Sequence, residues 1–147
     1  RVPVEAVFDQ GIGDVFVARS AGNVVDDDVI GGFEFATALA GAKAIVVVGH
    51  AACGAVKGAC DGAELGHLTQ LLAKITPAVD EVVADGTNPG SGDPSFVAEV
   101  IERNVVNSIA RLRSSEVLAG REAAGDLAIV GAIYDLASGT VTWLDDA

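Results

Sequence analysis

The chain has 147 residues, which is enough for one domain with a substantial core. Half of its residues are hydrophobic but 5% are aromatic, so we expect a core built from Val, Ala, Leu and Ile. A formal net charge of -12 argues against nucleic acid and anionic membrane surfaces as partners. No apolar run approaches the roughly 20 residues that a membrane-spanning helix needs.

The first half of the chain predicts two strands and two helices. Residues 14–20 alternate as in a strand, with Val15 and Val17 on one face. Three aspartates, 26–28, supply capping groups and N-terminal negative charge for a helix through about Leu39. Gly41 then ends that helix. Residues 42–49 form a buried strand rich in β-branched side chains, and a short helix follows Cys53.

The middle of the chain predicts one long helix followed by a loop. Thr76-Pro77 inside the helix marks either a kink or an internal restart with Thr76 as cap. Residues 85–94 are rich in Gly, Pro and Asp and predict the loop. The helix pattern rests on a regular apolar stripe: Leu65, Leu68, Leu72, Ile75, Val79 and Val82.

Two further helices are predicted before the last strands. Ser95 is the expected cap of the first, and Ser114-Ser115-Glu116 opens the second, which ends near Gly125. One apolar stripe along the first of these helices indicates the face that it buries: Val97, Val100, Ile101, Val105, Ile109 and Leu112.

The C-terminal end predicts a strand at 127–134, a turn at 137–139 and an antiparallel edge strand at 141–144. Strands that alternate with helices indicate an α/β fold with a mainly parallel central sheet, flanking helices and an antiparallel C-terminal edge strand. The chain shows no internal repeat.

The most informative pattern is His50-Ala51-Ala52-Cys53, which directly follows the predicted strand at 42–49. Open α/β sheets keep their sites at the carboxyl ends of strands. Imidazole and thiolate are both zinc ligands, and a gap of two residues lets both reach one ion from a tight turn. A buried thiol beside a surface histidine explains the same pattern, so the motif alone leaves both interpretations open.

Several segments in the same order resemble the β-class carbonic anhydrases. They are 1–5, 8–25, 49–57 and 129–135, so the resemblance runs nearly end to end. It implies a β-carbonic-anhydrase-like fold for a single domain, 1–147, that lacks the family's N-terminal helices and first strand. In the family, zinc is held by a Cys and an Asp of a Cys-x-Asp-Ser-Arg motif together with the His-x-x-Cys pair. Arg1 resembles the last residue of the first motif, so the remaining Cys and Asp ligands are expected upstream of Arg1.

The resemblance also implies the chemistry: zinc-dependent, reversible hydration of carbon dioxide to bicarbonate and a proton. His50 and Cys53 are the implied Zn²⁺ ligands. Arg1 is the implied catalytic residue, which pairs with the ligand aspartate and controls whether that aspartate occupies the zinc. The backbone N–H of Gly54 is expected to contact bicarbonate. The resemblance implies that three further residues form the wall of the carbon dioxide pocket: Phe16, Ala21 and Phe35.

The family further implies a homodimer or a higher homo-oligomer. The segment from Val29 to Leu39 carries Ile30, Phe33 and Phe35, and in relatives this region lies near the subunit interface. Leaving such an apolar surface in water is unfavourable. Arg19 and Asp14 are expected to be ion-pair partners near the same interface, rather than catalysts.

The sequence leaves one alternative within the family and argues against two other classes of protein. The first alternative is a catalytically inactive relative kept for assembly or small-anion binding. The sequence has neither the Gly-x-Gly-x-x-Gly motif nor the phosphate-loop motif of a nucleotide-binding domain. It also has no Cys-x-x-Cys motif of a thiol-redox protein. Cys60 lies about 10 Å from Cys53 if the intervening segment is helical, too far for a disulfide, and His67 is interpreted as a surface histidine. The cysteine usage favours a cytoplasmic protein over a secreted or periplasmic one.

Overall fold

The computed structural model describes residues 2–83 and 86–145. Single turns of 3-10 helix occur at Ala21–Asn23 and Gly90–Gly92, and a π-helical turn occurs at Phe35–Leu39. Seven α-helices and three β-strands are described within those ranges: α1 Val4–Val7, α2 Asp27–Glu34, β1 Ala44–His50, α3 Gly54–Cys60, α4 Gly66–Leu72, α5 Thr76–Val82, α6 Pro94–Arg113, α7 Glu116–Ala123, β2 Ala128–Tyr134 and β3 Val141–Leu144.

The sheet has the order β1-β2-β3 and is mixed. β1 and β2 are parallel, with His50 opposite Tyr134, whereas β2 and β3 are antiparallel, with Tyr134 opposite Val141. The α/β class and the antiparallel C-terminal edge strand are therefore confirmed. Within the described ranges, no strand pairs with the other edge of β1, so its backbone groups on that side have no ladder partner.

Helix α6 covers one face of the sheet and buries the whole predicted stripe. Gly49 on β1 and Gly131 on β2 allow this close approach, because a Cβ atom at either position would lie 2.8 Å from a Val105 methyl carbon. A second group of buried side chains, from α3, α4 and α5, packs against the N-terminal half of α6. Two clusters of buried side chains therefore pack against α6.

Two of the four predicted N-terminal helix caps are confirmed. Asp26 accepts a hydrogen bond from the Val29 N–H and caps α2, and Ser115 accepts one from the Leu118 N–H and caps α7. The predicted cap at Ser95 is wrong, because Asp93 caps α6 by accepting from the Ser95 and Phe96 N–H groups. Pro94 at the first helical position, with its φ already helical, moves the helix start two residues upstream.

The predicted helix over 65–82 is two helices, α4 and α5, separated at residues 73–75. The restart at Thr76-Pro77 is correct, but Thr76 is not the cap: its hydroxyl donates to the Leu72 carbonyl. The apolar stripe also overstates burial at its beginning. Leu65 and Leu68 are exposed, whereas Leu72 and Ile75 are buried.

The predicted strand at 14–20 is wrong. These residues are exposed and extended or turned, and no described strand lies beside them to supply a ladder. The sequence of residues 14–20 therefore alternates as in a strand, but its backbone pairs with no described strand. Within one chain, Arg19 forms a salt bridge with Glu5, and Asp14 accepts a hydrogen bond from the Gly11 N–H. Their expected role as ion-pair partners near a subunit interface stays a prediction. No helix of the described segments is long and apolar enough to cross a bilayer.

Candidate metal centre

The carboxyl end of β1 passes through a constrained turn into α3. The Ala51 N–H donates to the carbonyl of Tyr134 at 2.9 Å, which ties the turn to the end of β2. Ala52 then has φ of 54°, a left-handed conformation that is uncommon for a residue with a side chain. This turn leads into Cys53, which is the N-cap residue of α3.

His50 is half-buried and has one ring nitrogen already engaged. Its Nδ1 lies 3.0 Å from the Ala51 carbonyl oxygen. Because a carbonyl oxygen accepts but does not donate, this contact places the proton of a neutral imidazole on Nδ1. Nε2 then keeps its lone pair, which is the arrangement found in metal-bound histidines.

Cys53 is 5% exposed and has a free thiol. A thiol and an imidazole from one turn match the donor types that zinc prefers, but they supply two of four positions. Within the described residues, no group of three or more His, Cys, Asp and Glu side chains is placed to hold a metal. The His50–Cys53 pair therefore fits part of a zinc site.

Gly54 is the first residue of α3, and no atom lies within 4 Å of where its Cβ would be. The space on the Cβ side of Gly54 is therefore open. Contact of its backbone N–H with bicarbonate is the role that the family resemblance implies. That role remains a prediction. Arg1, the predicted catalytic residue, lies outside the described residues.

A cavity of about 860 Å³ adjoins the turn and brings most of the predicted site residues together. Phe35 does not line this cavity directly. Its ring packs edge-on against Phe16, with centroids 6.1 Å apart and planes at 70°. The predicted residues that line the cavity together are Phe16, Ala21, His50, Cys53 and Gly54.

The strand β1, which has an unpaired edge, also borders this cavity. Residues 44–48 all line it, together with residues 13–25. The cavity thus runs along a strand edge whose backbone groups lack a ladder partner among the described residues.

Sequence reasoning missed one polar residue in this wall. Thr37 is 1% exposed, lines the cavity and donates through its hydroxyl to the Phe33 carbonyl at 2.8 Å. Nothing in the pattern of the segment distinguishes Thr37 from a surface threonine on a helix, because no local pattern marks the π-helical turn that buries it.

Cys60 and His67, for which the sequence predicts no metal-binding or catalytic role, differ in burial. Burial raises the pKa of the Cys60 thiol, and the nearby Asp61 carboxylate raises it further. The neutral thiol of Cys60 is therefore favoured, which suits a packed residue rather than a ligand. His67 is exposed, as expected for a surface histidine.

Comparison with known proteins places these features in a family. A family description named carbonic anhydrase matches residues 1–141. Carbonic anhydrase 2 of Mycobacterium tuberculosis is 38% identical over 151 residues, which cover 99% of this chain and 70% of that protein. The solved β-carbonic anhydrase CafA of Aspergillus fumigatus superposes with a TM-score of 0.89 at 28% identity, covering 99% of this chain and 70% of that one. A tetrameric β-carbonic anhydrase of Sordaria macrospora gives a TM-score of 0.83 at 27% identity, with coverages of 97% and 74%.

Proposed function

The chain belongs to the β-carbonic anhydrase family, and from that premise we propose that it catalyses the zinc-dependent, reversible hydration of carbon dioxide to bicarbonate. The observation that supports this most directly is the convergence of His50, Cys53 and Gly54 at the carboxyl end of β1. These residues face the same cavity as the apolar side chains of Phe16 and Ala21.

In this proposal each residue has a separate task. Zinc, when bound, supplies the Lewis-acid activation of water for attack on carbon dioxide. The Nε2 atom of His50 and the thiolate of Cys53 hold the metal, and the Ala51 carbonyl fixes the tautomer and orientation of His50. The Gly54 N–H at the start of α3 binds bicarbonate. Phe16 and Ala21 provide an apolar wall for carbon dioxide.

We further propose that a segment upstream of Arg1 completes the site. It would contribute the Cys and Asp ligands, and Arg1 would pair with that aspartate through its guanidinium. The open edge of β1 supports this, because it offers a strand partner a continuous row of backbone donors and acceptors. The cavity beside it, of about 860 Å³, is far larger than triatomic carbon dioxide requires.

Assembly as a homodimer or a higher oligomer belongs to the same proposal. Phe16 and Phe35 are 56% and 52% exposed, and Leu39 and Ile12 are also exposed. Such an apolar surface usually marks an interface. The Sordaria macrospora relatives are described as tetrameric, which is in keeping with a homo-oligomer.

Zinc content of single variants tests the metal assignment. His50→Ala and Cys53→Ser should each remove most of the zinc from the purified protein, because a tetrahedral site depends on every ligand. Cys60→Ser and His67→Ala are matched controls at positions outside the cavity and should keep the wild-type content. Full zinc in either ligand variant, or equal loss in the controls, would contradict the assignment.

A further inference from the structure

The segment between α2 and β1 contains a π-helical turn at Phe35–Leu39. Its wide ring is closed by the Ala40 N–H, which donates to the Phe35 carbonyl at 3.0 Å. The turn continues directly from α2, and Gly41 ends it with φ of 84°. Single π-helical turns inside helices are rare, and they occur often at functional sites.

The hydroxyl of Thr37 is hydrogen-bonded to the last turn of α2. It donates to the Phe33 carbonyl at 2.8 Å and approaches the Glu34 carbonyl at 3.4 Å. The side chain is 1% exposed, so the hydroxyl has no bulk water to replace these partners. A threonine hydroxyl that binds a carbonyl of the preceding turn distorts a helix, which favours the wider ring.

The turn determines where Phe35 lies. The preceding residue, Glu34, is held in place because its carboxylate accepts a hydrogen bond from the Ser115 hydroxyl at 2.6 Å. If the π-helical turn changed its hydrogen bonding, the residues from Phe35 onward would therefore move and Glu34 would stay in place. Ala36 and Thr37 line the cavity, whereas Phe35 packs on the Phe16 ring at its exposed side.

We propose that Thr37 is a positioning residue: its hydroxyl holds the π-helical turn that keeps the Phe35 ring packed on Phe16, and Phe16 is the ring of this pair that lines the carbon dioxide pocket. The structural part of this inference concerns ring geometry alone. Its catalytic part rests on the proposed function.

Ring contact is the direct measurement and does not depend on metal or activity. In protein with isotope-labelled phenylalanine, nuclear Overhauser effects should connect the Phe16 and Phe35 rings. Thr37→Val, which keeps the shape but removes the donor, should weaken or abolish them, and Thr37→Ser should retain them. Should the valine variant not fold, Thr37→Ala takes its place. Unchanged ring contacts without the hydroxyl would overturn the proposal.

Thr76→Val is a matched control, because the Thr76 hydroxyl also donates to the carbonyl four residues earlier, at Leu72, but lies in another helix. It should leave the Phe16–Phe35 contacts intact. A loss of ring contacts in Thr76→Val as large as that in Thr37→Val would also overturn the proposal, since the effect would then be general destabilisation.

The catalytic part is tested in zinc-loaded protein by a double-mutant cycle. Thr37→Val should lower kcat/KM for carbon dioxide hydration roughly three- to tenfold at unchanged zinc content, as misplacement of a pocket wall does. In a Phe35→Ala background it should cost nothing more, because the ring that it positions is gone. Additive losses would overturn the catalytic part. A wild-type protein without hydratase activity would instead overturn the proposed function, and the ring contacts would still decide the structural part.

Discussion

Gly131 shows how a single residue determines the packing of the sheet against α6. It is buried in the middle of β2, and a Cβ there would lie 2.8 Å from Val105 Cγ1 and 3.1 Å from Ile109 Cδ1. Both neighbours are fully buried side chains of α6 and have little room to move. The absence of a side chain is therefore what lets α6 approach the strand.

We expect Gly131→Ala to lower the free energy of unfolding by about 1–3 kcal/mol through overpacking. Gly120→Ala is the matched control: Gly120 is exposed on α7 with no atom within 4 Å of its Cβ position, so it should be neutral or stabilising by up to about 1 kcal/mol. Urea unfolding of both variants measures this. Equal stability of Gly131→Ala and wild type would mean that α6 can move away from the sheet.

Single residues also show what could be predicted at the site. His50 and Cys53 were identified because a motif of fixed spacing follows a recognisable buried strand. The contact of His50 Nδ1 with the Ala51 carbonyl was not predictable, since it depends on the left-handed conformation at Ala52. Thr37 was missed because burial of a helical threonine arises from tertiary packing and not from the local pattern.

Helices α6 and α7 are joined by a bidentate ion pair. Arg113 donates through Nε and one terminal nitrogen to both carboxylate oxygens of Glu122, at 2.9 and 3.0 Å. The same terminal nitrogen of Arg113 also donates to the Ile129 carbonyl at 3.4 Å, so the ion pair is linked to β2 as well. The hydrogen bonds from Arg113 hold the pKa of Glu122 below its usual range.

This lowered pKa predicts a pH dependence of stability. A carboxyl group with a lower pKa in the folded state stabilises the protein above its unfolded pKa, about 4.3 for Glu. That stabilisation is lost as the pH falls through the folded pKa. Because both side chains are partly exposed, we expect it to be no more than about 1 kcal/mol.

Glu122→Gln should therefore be less stable than wild type near neutral pH, and the difference should vanish in acid. Glu99→Gln, at an exposed position of α6, is the control for removal of one charge. Unfolding by urea across the acid range measures both. A constant difference between Glu122→Gln and wild type at every pH would contradict the role of the ionised pair.

At the level of elements, the sequence predicted what local patterns encode. The stripe of α6, the caps at Asp26 and Ser115 and the antiparallel β3 were all recognisable, because period and capping act within a few residues. The segment 14–20 shows the limit of such patterns. Alternation predicts two faces, but a strand also needs a neighbour to bind its backbone, and none of the described residues supplies one.

At the scale of the whole molecule, the exposed apolar surface around Phe16 and Phe35 predicts association. Covering it removes apolar area from water at roughly 25 cal/mol per Å². We expect light scattering after size exclusion to give at least twice the mass of one chain. Phe35→Asp should weaken this association. Val117→Asp, on α7 at an exposed apolar position, is the control and should not.

A monomer of undiminished hydratase activity would contradict the proposed assembly through this surface.

A second expectation at this scale concerns completeness of the metal site. Residues 1–147 alone offer two zinc ligands, His50 and Cys53, in the part of the chain that is described, so this piece should bind zinc weakly. Tight stoichiometric zinc binding by that piece would show that the upstream ligands are unnecessary.

Carbon dioxide hydration by stopped flow, followed through removal and return of zinc, tests the central claim most directly. The sample should have an N-terminus verified by intact mass, so that the presence of the upstream Cys and Asp is known. With those ligands present, we predict about one zinc per chain, loss of hydration when a chelator removes it and recovery when zinc is restored. Hydration that persists without zinc, or a fully zinc-loaded protein that hydrates no carbon dioxide, would contradict the account.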